Sequence, residues 1–180
     1  PYFTEEVRKI LIKNEKIGSK LYTNGYSVRT TLDPSIQIKA EEALIEGLEK
    51  LDKRQGWRGA ISNYNLLDTR NEELSKYLHE LQKQLPKKRH AGIVIKVSKN
   101  FLDVMLHNGE KIKVEFKNTS WLRPQTIKKD DKNRLVINLG AKYRNFKQFI
   151  SEGDVVVVKE NKNKNIIYYS LSQIPNVNGA

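Results

Sequence analysis

The chain has 180 residues, 38% of them hydrophobic, which is enough for one domain or two small ones and argues against a wholly disordered protein. It contains no Cys, so disulfide scaffolds, thiolate metal sites and thiol nucleophiles are excluded. Lys and Arg number 33 against 21 Asp and Glu, giving a net charge of +12, and a field of this sign can attract nucleic acid, anionic lipid or acidic polymers.

The first 57 residues predict a helix, a strand and a second helix. Thr4 can cap the first helix, which should end near Asn14. Residues 26–32 alternate β-branched and aromatic side chains, a pattern typical of a strand. Asp33 as N-cap and Pro34 as first helical residue then predict the start of an amphipathic helix of about 20 residues.

The second helix carries its apolar side chains at helical spacing. This predicted apolar face consists of Ile36, Ala40, Ala43, Leu44, Leu48 and Leu51. Charged side chains lie mostly on the opposite, solvated face, where Glu49 is expected to pair with Lys53 one turn later. The segment from Gly56 to Gly59 ends the helix and marks a candidate boundary.

The rest of the chain predicts one helix followed by short strands. The helix has apolar residues from Leu74 to Leu85 and stops at Pro86. Strands are expected at residues 93–97, 101–107, 111–117, 135–139, 155–159 and 166–171. The turn pair Asn108-Gly109 joins two of them as a hairpin. The predicted fold is α+β: a small OB-like antiparallel β-barrel, closed or nearly closed, with a helical N-terminal linker region.

The sequence contains no recognisable catalytic, cofactor or metal constellation. No Ser has a Lys three residues later and there is no K-T-G; the tripeptide Ser98-Lys99-Asn100 fits S-x-N but stands alone in a predicted hairpin. His79, His90 and His107 share no ligand spacing, so no metal site is predicted. No run of apolar residues approaches the roughly 18 to 20 that a membrane helix needs.

The basic excess is concentrated in one region. Residues 58–165 carry 23 basic and 12 acidic groups, a net charge of +11, and their candidate partner-facing residues are Lys128, Lys129, Lys132 and Arg134. A basic OB-type barrel can bind single-stranded nucleic acid through exposed aromatic residues, although Phe116 shares a face with core residues. The 24 Lys against 9 Arg also fit AT-rich codon use without any ligand.

Several short motifs occur in a recognisable order. The most specific is Thr30-Thr31-Leu32-Asp33-Pro34 with Gln37. The others are Tyr2-Phe3, Val7-Arg8, Leu21-Tyr22, Ala40-Glu41, Gly47-Leu48, Asp52-Lys53-Arg54, Gly56-Trp57-Arg58-Gly59, Gly153-Asp154-Val155-Val156 and Tyr169-Ser170-Leu171-Ser172-Gln173-Ile174-Pro175, with Val177 and Gly179-Ala180. This order resembles the segment that joins the two catalytic domains of class A penicillin-binding proteins, including their OB-like domain.

The resemblance implies a role in cell-wall synthesis and cell shape. Members of that family are membrane-anchored, bifunctional peptidoglycan synthases, in which a glycosyltransferase polymerises lipid II and a serine transpeptidase cross-links stem peptides. The catalytic motifs would lie outside this chain, which would be a noncatalytic linker and OB-like scaffold or regulatory segment on the periplasmic side of a bacterial inner membrane. Its partners would be the two flanking catalytic domains and either a regulatory envelope protein or peptidoglycan, and no cofactor is implied.

The resemblance also implies a domain layout. Residues 1–57 would be a linker and root of the transpeptidase domain, residues 58–165 an inserted OB-like domain with a leading helix, and residues 166–180 the last barrel strand and the return. Both ends of the chain are expected to continue into a longer, anchored protein. The alternative function is a basic OB module that binds single-stranded nucleic acid.

Overall fold

The computed structural model of the chain describes residues 2–66 and 72–176. The chain divides into two compact units, residues 1–39 and residues 40–180. The last residues that contribute to the resemblance, from Val177 onward, lie outside the described part.

The first unit begins with helix α1, Tyr2–Lys13. Thr4 lies inside this helix, so the structure differs from the prediction that Thr4 caps it. The Arg8 guanidinium donates to the Glu5 carboxylate at 2.6 Å (Nη2 to Oε1) and to the Tyr22 hydroxyl at 2.9 Å. These bonds tie the segment after α1 back to the helix.

Residues 26–32 form no strand in the described structure, so this prediction is wrong. Tyr26, Val28 and Leu32 are each 40–47% exposed. A strand needs a neighbouring backbone to complete its hydrogen bonds, and no described strand lies beside these residues. Their β-branched and aromatic side chains favour an extended chain without supplying that partner.

Helix α2, Pro34–Arg54, begins where the sequence predicts. The Asp33 carboxylate accepts hydrogen bonds from the N–H groups of Ser35 at 2.8 Å and Ile36 at 3.3 Å, and from the Ser35 hydroxyl at 2.7 Å. The Ser35 hydroxyl, followed by these N–H groups, lowers the pKa of Asp33. The N-cap is therefore confirmed by its hydrogen bonds.

The predicted burial of α2 is reversed over its C-terminal half. Leu44 and Leu51, on the predicted apolar face, are 49% and 37% exposed. The side chains of this helix that are buried are Glu49 and Asp52. Within the second unit, charged side chains rather than an apolar stripe therefore fasten this half of α2 to the rest of the unit.

Helix α3, Glu72–Gln84, matches the helix predicted before Pro86. It buries Leu74, Leu78 and Leu81 against apolar residues of the sheet. The helix and the sheet residues that it contacts form a second, smaller hydrophobic cluster, separate from the main core.

The described strands make an OB-like sheet and a separate hairpin. They are β1 (Ser62–Asn63), β2 (Arg89–Val97), β3 (Phe101–Leu106), β4 (Lys111–Glu115), β5 (Gln125–Lys129), β6 (Leu135–Leu139), β7 (Asp154–Asn163) and β8 (Ile166–Ser172). The main sheet has the order β1-β7-β2-β3-β4-β8, and β8 pairs again with β7. The strands from β2 to β4 and β7 to β8 therefore curl around one core, which confirms the predicted α+β, OB-like fold.

The barrel differs from the prediction at one seam. Strands β4 and β8 run parallel and share a single pair, Val114 with Tyr169. The barrel is therefore neither wholly antiparallel nor fully closed. Strands β7, β2, β3 and β4 pair antiparallel in turn, and β8 is antiparallel to β7, so β8 runs parallel to β4.

The main core fills the interior of this barrel. Its fully buried side chains include Val94, Leu102, Val104, Val114, Leu122, Phe146, Val156, Val158 and Leu171. Phe116 packs against this core, with its ring 5.1 Å from that of Phe146 in an edge-to-face arrangement. This confirms the prediction that Phe116 is a packing residue, since it is not a free platform for a base.

Candidate partner-binding surface

The β5–β6 hairpin is held to the barrel at its base by Trp57. The backbone N–H of Trp57 donates to the Arg123 carbonyl at 2.8 Å, and the backbone carbonyl of Trp57 accepts from the backbone N–H of Gln125 at 3.1 Å. Trp57 itself is buried in the main core. Gly56 has φ of 92°, and a Cβ at this position would lie 2.7 Å from Leu139 Cδ2. The base of the hairpin therefore requires glycine at position 56.

Beyond its base the hairpin exposes apolar side chains. The register pairs Ile127 with Ile137 and Lys129 with Leu135, so these four residues lie on one face. Ile127 is 58% exposed and Leu135 71% exposed. A free two-stranded hairpin is marginally stable in water, and contiguous exposed apolar residues commonly mark interaction sites. This face is a candidate for contact with a partner.

The four predicted basic residues lie along the same hairpin. Lys128 and Lys129 end β5, Lys132 is in the turn, and Arg134 precedes β6. The Asp130 carboxylate accepts from the N–H groups of Lys132 at 2.9 Å and Arg134 at 2.8 Å, and its Oδ2 lies 2.7 Å from Arg134 Nη2. The Arg134 N–H contributes most to the lowered pKa of Asp130. Arg134 thus closes the turn, while the three lysines form no ion pair among the described residues.

Sequence reasoning missed strand β5. Its five residues, Gln125–Lys129, contain one apolar side chain, so the alternation that identifies half-buried strands is weak. The available signal is the polar run that follows, in which Asn133 adopts φ of 59°, a conformation that Asn tolerates in tight turns. A turn at this point implies a partner strand for β6.

A second cluster lies where α2 meets the barrel. Glu49, predicted to be solvated, is 5% exposed. Its Oε1 accepts from Arg89 Nε at 2.5 Å and its Oε2 from Lys159 Nζ at 2.9 Å. Arg89 and Lys159 are paired residues of β2 and β7, so the sheet register presents both cations to one carboxylate. The two cations compensate the cost of removing the Glu49 carboxylate from water.

Lys53, the predicted partner of Glu49, contacts an aromatic ring instead. Its Nζ lies 5.5 Å from the centroid of Trp121. Burial lowers the pKa of Lys53 more than the negative charge of Glu49 raises it, and the positive charges of Lys159 and Arg89 act in the same direction as burial. The helical spacing alone therefore misassigned this pair, because tertiary contacts supplied stronger partners for both residues.

A third contact joins the incoming and outgoing segments of the barrel, and we call it the Asp52–Arg58 clamp. Asp52 is 1% exposed. Arg58 Nη1 donates to Asp52 Oδ1 at 2.5 Å, and Arg58 Nη2 donates to the Ile174 carbonyl at 2.5 Å. The Asn176 N–H also donates to Asp52 Oδ1 at 3.3 Å. The clamp thus holds the end of α2 beside the chain that leaves β8.

The three histidines form a row although their sequence spacing gives no hint of it. His107 lies between His79 on α3 and His90 on β2, with ring centroids 5.6 Å and 6.3 Å apart. His79 Nδ1 lies 2.8 Å from the Ser75 carbonyl, whereas His107 Nδ1 is buried without a hydrogen-bond partner. Burial and the two neighbouring imidazoles lower the pKa of His107.

Within residues 2–66 and 72–176, no group of three or more His, Asp or Glu residues is arranged to hold a metal ion. None of the helices in this part of the chain is long and apolar enough to cross a bilayer. The exposed features of this part of the chain that could bind a partner are the β5–β6 hairpin and the β4–β8 seam.

Comparison with known proteins places these features in a family. Residues 57–177 match the family described as the penicillin-binding protein OB-like domain. The chain is 33% identical to penicillin-binding protein 1A of Rickettsia bellii (strain RML369-C) and 31% identical to that of Rickettsia prowazekii (strain Madrid E), in each case over 99% of this chain and 20% of the relative. The chain thus spans about a fifth of the length of these relatives.

A solved structure gives the same fold. Penicillin-binding protein 1A from Haemophilus influenzae aligns with 97% of this chain and 22% of its own, with a TM-score of 0.61 and 24% sequence identity. None of these matches supports the nucleic-acid alternative. The match over residues 57–177 covers more than half of the chain and agrees with its OB-like strand order. The chain therefore belongs to the penicillin-binding protein OB-like domain family.

Proposed function

We propose that the chain is a noncatalytic linker and OB-like scaffold segment within a bifunctional peptidoglycan synthase. The observation that carries the proposal is the alignment itself: proteins named penicillin-binding protein 1A match 99% of this chain with only 20% of their own length. In such a protein the glycosyltransferase that polymerises lipid II and the serine transpeptidase that cross-links stem peptides lie in the remaining sequence. The segment then lies in the periplasm, anchored to the inner membrane through the longer protein.

The proposed layout places residues 1–57 and 166–180 at the root and residues 58–165 in the inserted domain. The Asp52–Arg58 clamp supports this layout, because it joins the chain entering the barrel to the chain leaving it. Chains that enter and leave at one point are typical of inserted domains. In this layout β8 is the last strand of the barrel, and the residues after it lead back to the root.

The β5–β6 hairpin supplies the proposed partner surface of the scaffold. Lys129 shares the face of the exposed apolar residues Ile127 and Leu135, and Lys132 lies in the adjoining turn. Lys128 lies on the opposite face of the hairpin. A surface that combines basic and apolar side chains suits an anionic partner with some apolar area. In the envelope, such partners are peptidoglycan and regulatory proteins.

The test measures sedimentation of the full-length synthase with purified peptidoglycan sacculi. The variant Lys129→Glu/Lys132→Glu reverses the two charges next to the apolar face and leaves the Asp130–Arg134 turn intact. We expect it to lower the bound fraction at least about threefold at low salt, with less effect at high salt, because exposed charges are screened. Lipid II polymerisation and labelling by a fluorescent penicillin should stay unchanged.

The matched control is Lys142→Glu/Lys147→Glu, which makes the same change in net charge at exposed residues outside the hairpin. Equal losses in both variants would reject the hairpin as the binding surface. Penicillin labelling of the isolated 180-residue chain would reject its noncatalytic role. An oligonucleotide that binds this chain tightly at moderate salt would favour the nucleic-acid alternative.

A further inference from the structure

The seam between β4 and β8 leaves a groove in the side of the barrel. Along its full length β8 pairs with β7, but it meets β4 only at Val114 and Tyr169. The two strands are parallel, so residues 111–113 of β4 and residues 166–168 of β8 lie on the same side of this contact. There they diverge, and the groove between them has a volume of about 710 Å³.

Both walls of the groove end in a strand edge. Strand β4 pairs with β3 on its other side through five residue pairs, and β8 pairs with β7. Among the described residues, no strand pairs with β8 at 166–168 on the side of the groove. Unpaired edges of this kind are templates for the backbone of another chain.

The β8 wall of the groove exposes three apolar or aromatic side chains in succession. Ile166 is 71% exposed, Ile167 55% and Tyr168 36%. Because side chains alternate along a strand, Ile166 and Tyr168 lie on one face and Ile167 on the other. An added strand next to β8 would cover apolar side chains on both faces.

The β4 wall is basic. It carries Lys111 and Lys113, and within the described part of the chain neither forms an ion pair. Lys113 Nζ lies 4.6 Å from the centroid of the Phe101 ring on β3. Lys117 and Glu115 also line the groove, and they pair with each other at 2.5 Å (Nζ to Oε2), so their charges compensate. Glu110 is the other carboxylate on this wall. The groove therefore favours a segment with acidic side chains toward β4 and apolar ones toward β8.

We propose that this groove binds an extended acidic peptide segment of a partner protein by strand addition between β4 and β8. A peptide fits better than single-stranded nucleic acid, which needs a series of stacking platforms. The groove walls offer exposed Tyr168, whereas Phe116 packs on the core. The proposal deepens the scaffold role, on which it rests, by naming the kind of segment that the barrel binds.

The test uses the 180-residue chain and a panel of fluorescent peptides of about nine residues that alternate Asp or Glu with Val or Ile. A second panel has the same sequences with N-methyl groups on alternate backbone nitrogens, which removes hydrogen-bond donors and keeps the side chains. We expect anisotropy titrations to detect binding of the first panel and at least a tenfold loss in the second. Amide NMR signals of residues 111–113 and 166–168 should shift on binding.

Variants locate the site. Lys111→Glu/Lys113→Glu should weaken binding about tenfold, whereas Lys142→Glu/Lys147→Glu, with the same charge change outside the groove, should leave it unchanged. Lys129→Glu/Lys132→Glu should also leave peptide binding unchanged. The two experiments therefore test the hairpin surface and the groove separately. Circular dichroism confirms that each variant is folded.

Three outcomes would overturn the proposal. The first is absence of binding by every peptide at millimolar concentration. The second is equal binding of the N-methylated panel, because strand addition depends on backbone hydrogen bonds. The third is occupation of the groove by an oligonucleotide or by a second copy of the chain, detected as Lys111- and Lys113-dependent binding or dimerisation.

Discussion

His107 lies in a position that disfavours its own protonation. It sits between two other imidazoles, and its Nδ1 is buried without a partner. The Glu160 carboxylate lies 3.8 Å from His90 Nε2, and no carboxylate of the described residues contributes to the pKa shift of His107. A proton on His107 therefore meets repulsion and poor solvation, which is why its pKa is lowered.

The consequence is a pH-dependent stability. Because the pKa of His107 is lower in the folded chain than in the unfolded chain, the unfolded state binds more protons between the two values. The free energy of unfolding should therefore fall as the pH drops below about 6.5, the unfolded value, and level off below the folded value. Urea titrations of wild type and His107→Gln between pH 8 and pH 5 measure this slope, which we expect to be shallower in the variant.

The neighbouring residue provides the control for this prediction. His79→Gln removes one source of repulsion but leaves His107 with its buried Nδ1, so it should reduce the slope less than His107→Gln does. Equal pH dependence of wild type and His107→Gln would show that other groups govern acid stability.

At the scale of elements, buried charges fasten helix α2 to the sheet. Glu49→Gln would leave Arg89 and Lys159 facing a neutral amide. Removing one partner from a buried ion pair is costly, and we expect a loss of about 3 kcal/mol in the free energy of unfolding. Chemical denaturation measures the loss directly.

Glu46→Gln is the matched control, since Glu46 is an exposed carboxylate of the same helix. It should change the free energy of unfolding by less than about 0.5 kcal/mol. In a double-mutant cycle, Glu49→Gln combined with Arg89→Gln should cost less than the two single losses added together. Similar effects of Glu49→Gln and Glu46→Gln would contradict the ionic attachment of α2.

Helix α2 shows which features could be predicted from the sequence and which could not. The start of α2 was predictable, because Asp33 and Pro34 act through their immediate neighbours. The burial of Glu49 was not, since its cations lie 40 and 110 residues away and meet only through the β2–β7 register. The histidine row and the β4–β8 seam depend on tertiary placement in the same way. Strand β5 was not predicted because four of its five side chains are polar and therefore show no apolar alternation.

The candidate site was predictable only in part. The basic residues of the hairpin stand out in the local charge, but the apolar face beside them depends on pairing β6 with the unrecognised β5. Whether Lys128, Lys129 and Lys132 bind a partner stays a prediction.

For the whole molecule, contacts between elements predict which parts resist a protease. The barrel core and the leucines of α3 form clusters closed to water, whereas the hairpin tip is exposed. Because α3 packs on β2, the protected core should include the helix and should not begin only at β2. Proteolysis acts first where local opening costs little free energy.

Limited trypsin digestion should therefore cut early at the hairpin tip, between Lys128 and Arg134, and in the first unit. The nicked barrel should remain associated on a sizing column, and mass spectrometry should find that it retains residues 72–172. In the Glu49→Gln variant, cleavage after Lys50 and Lys53 should accelerate, because α2 loses its attachment to Arg89 and Lys159. Uniform, progressive degradation of the barrel would argue against an independently stable OB-like domain, and with it against the proposed insertion.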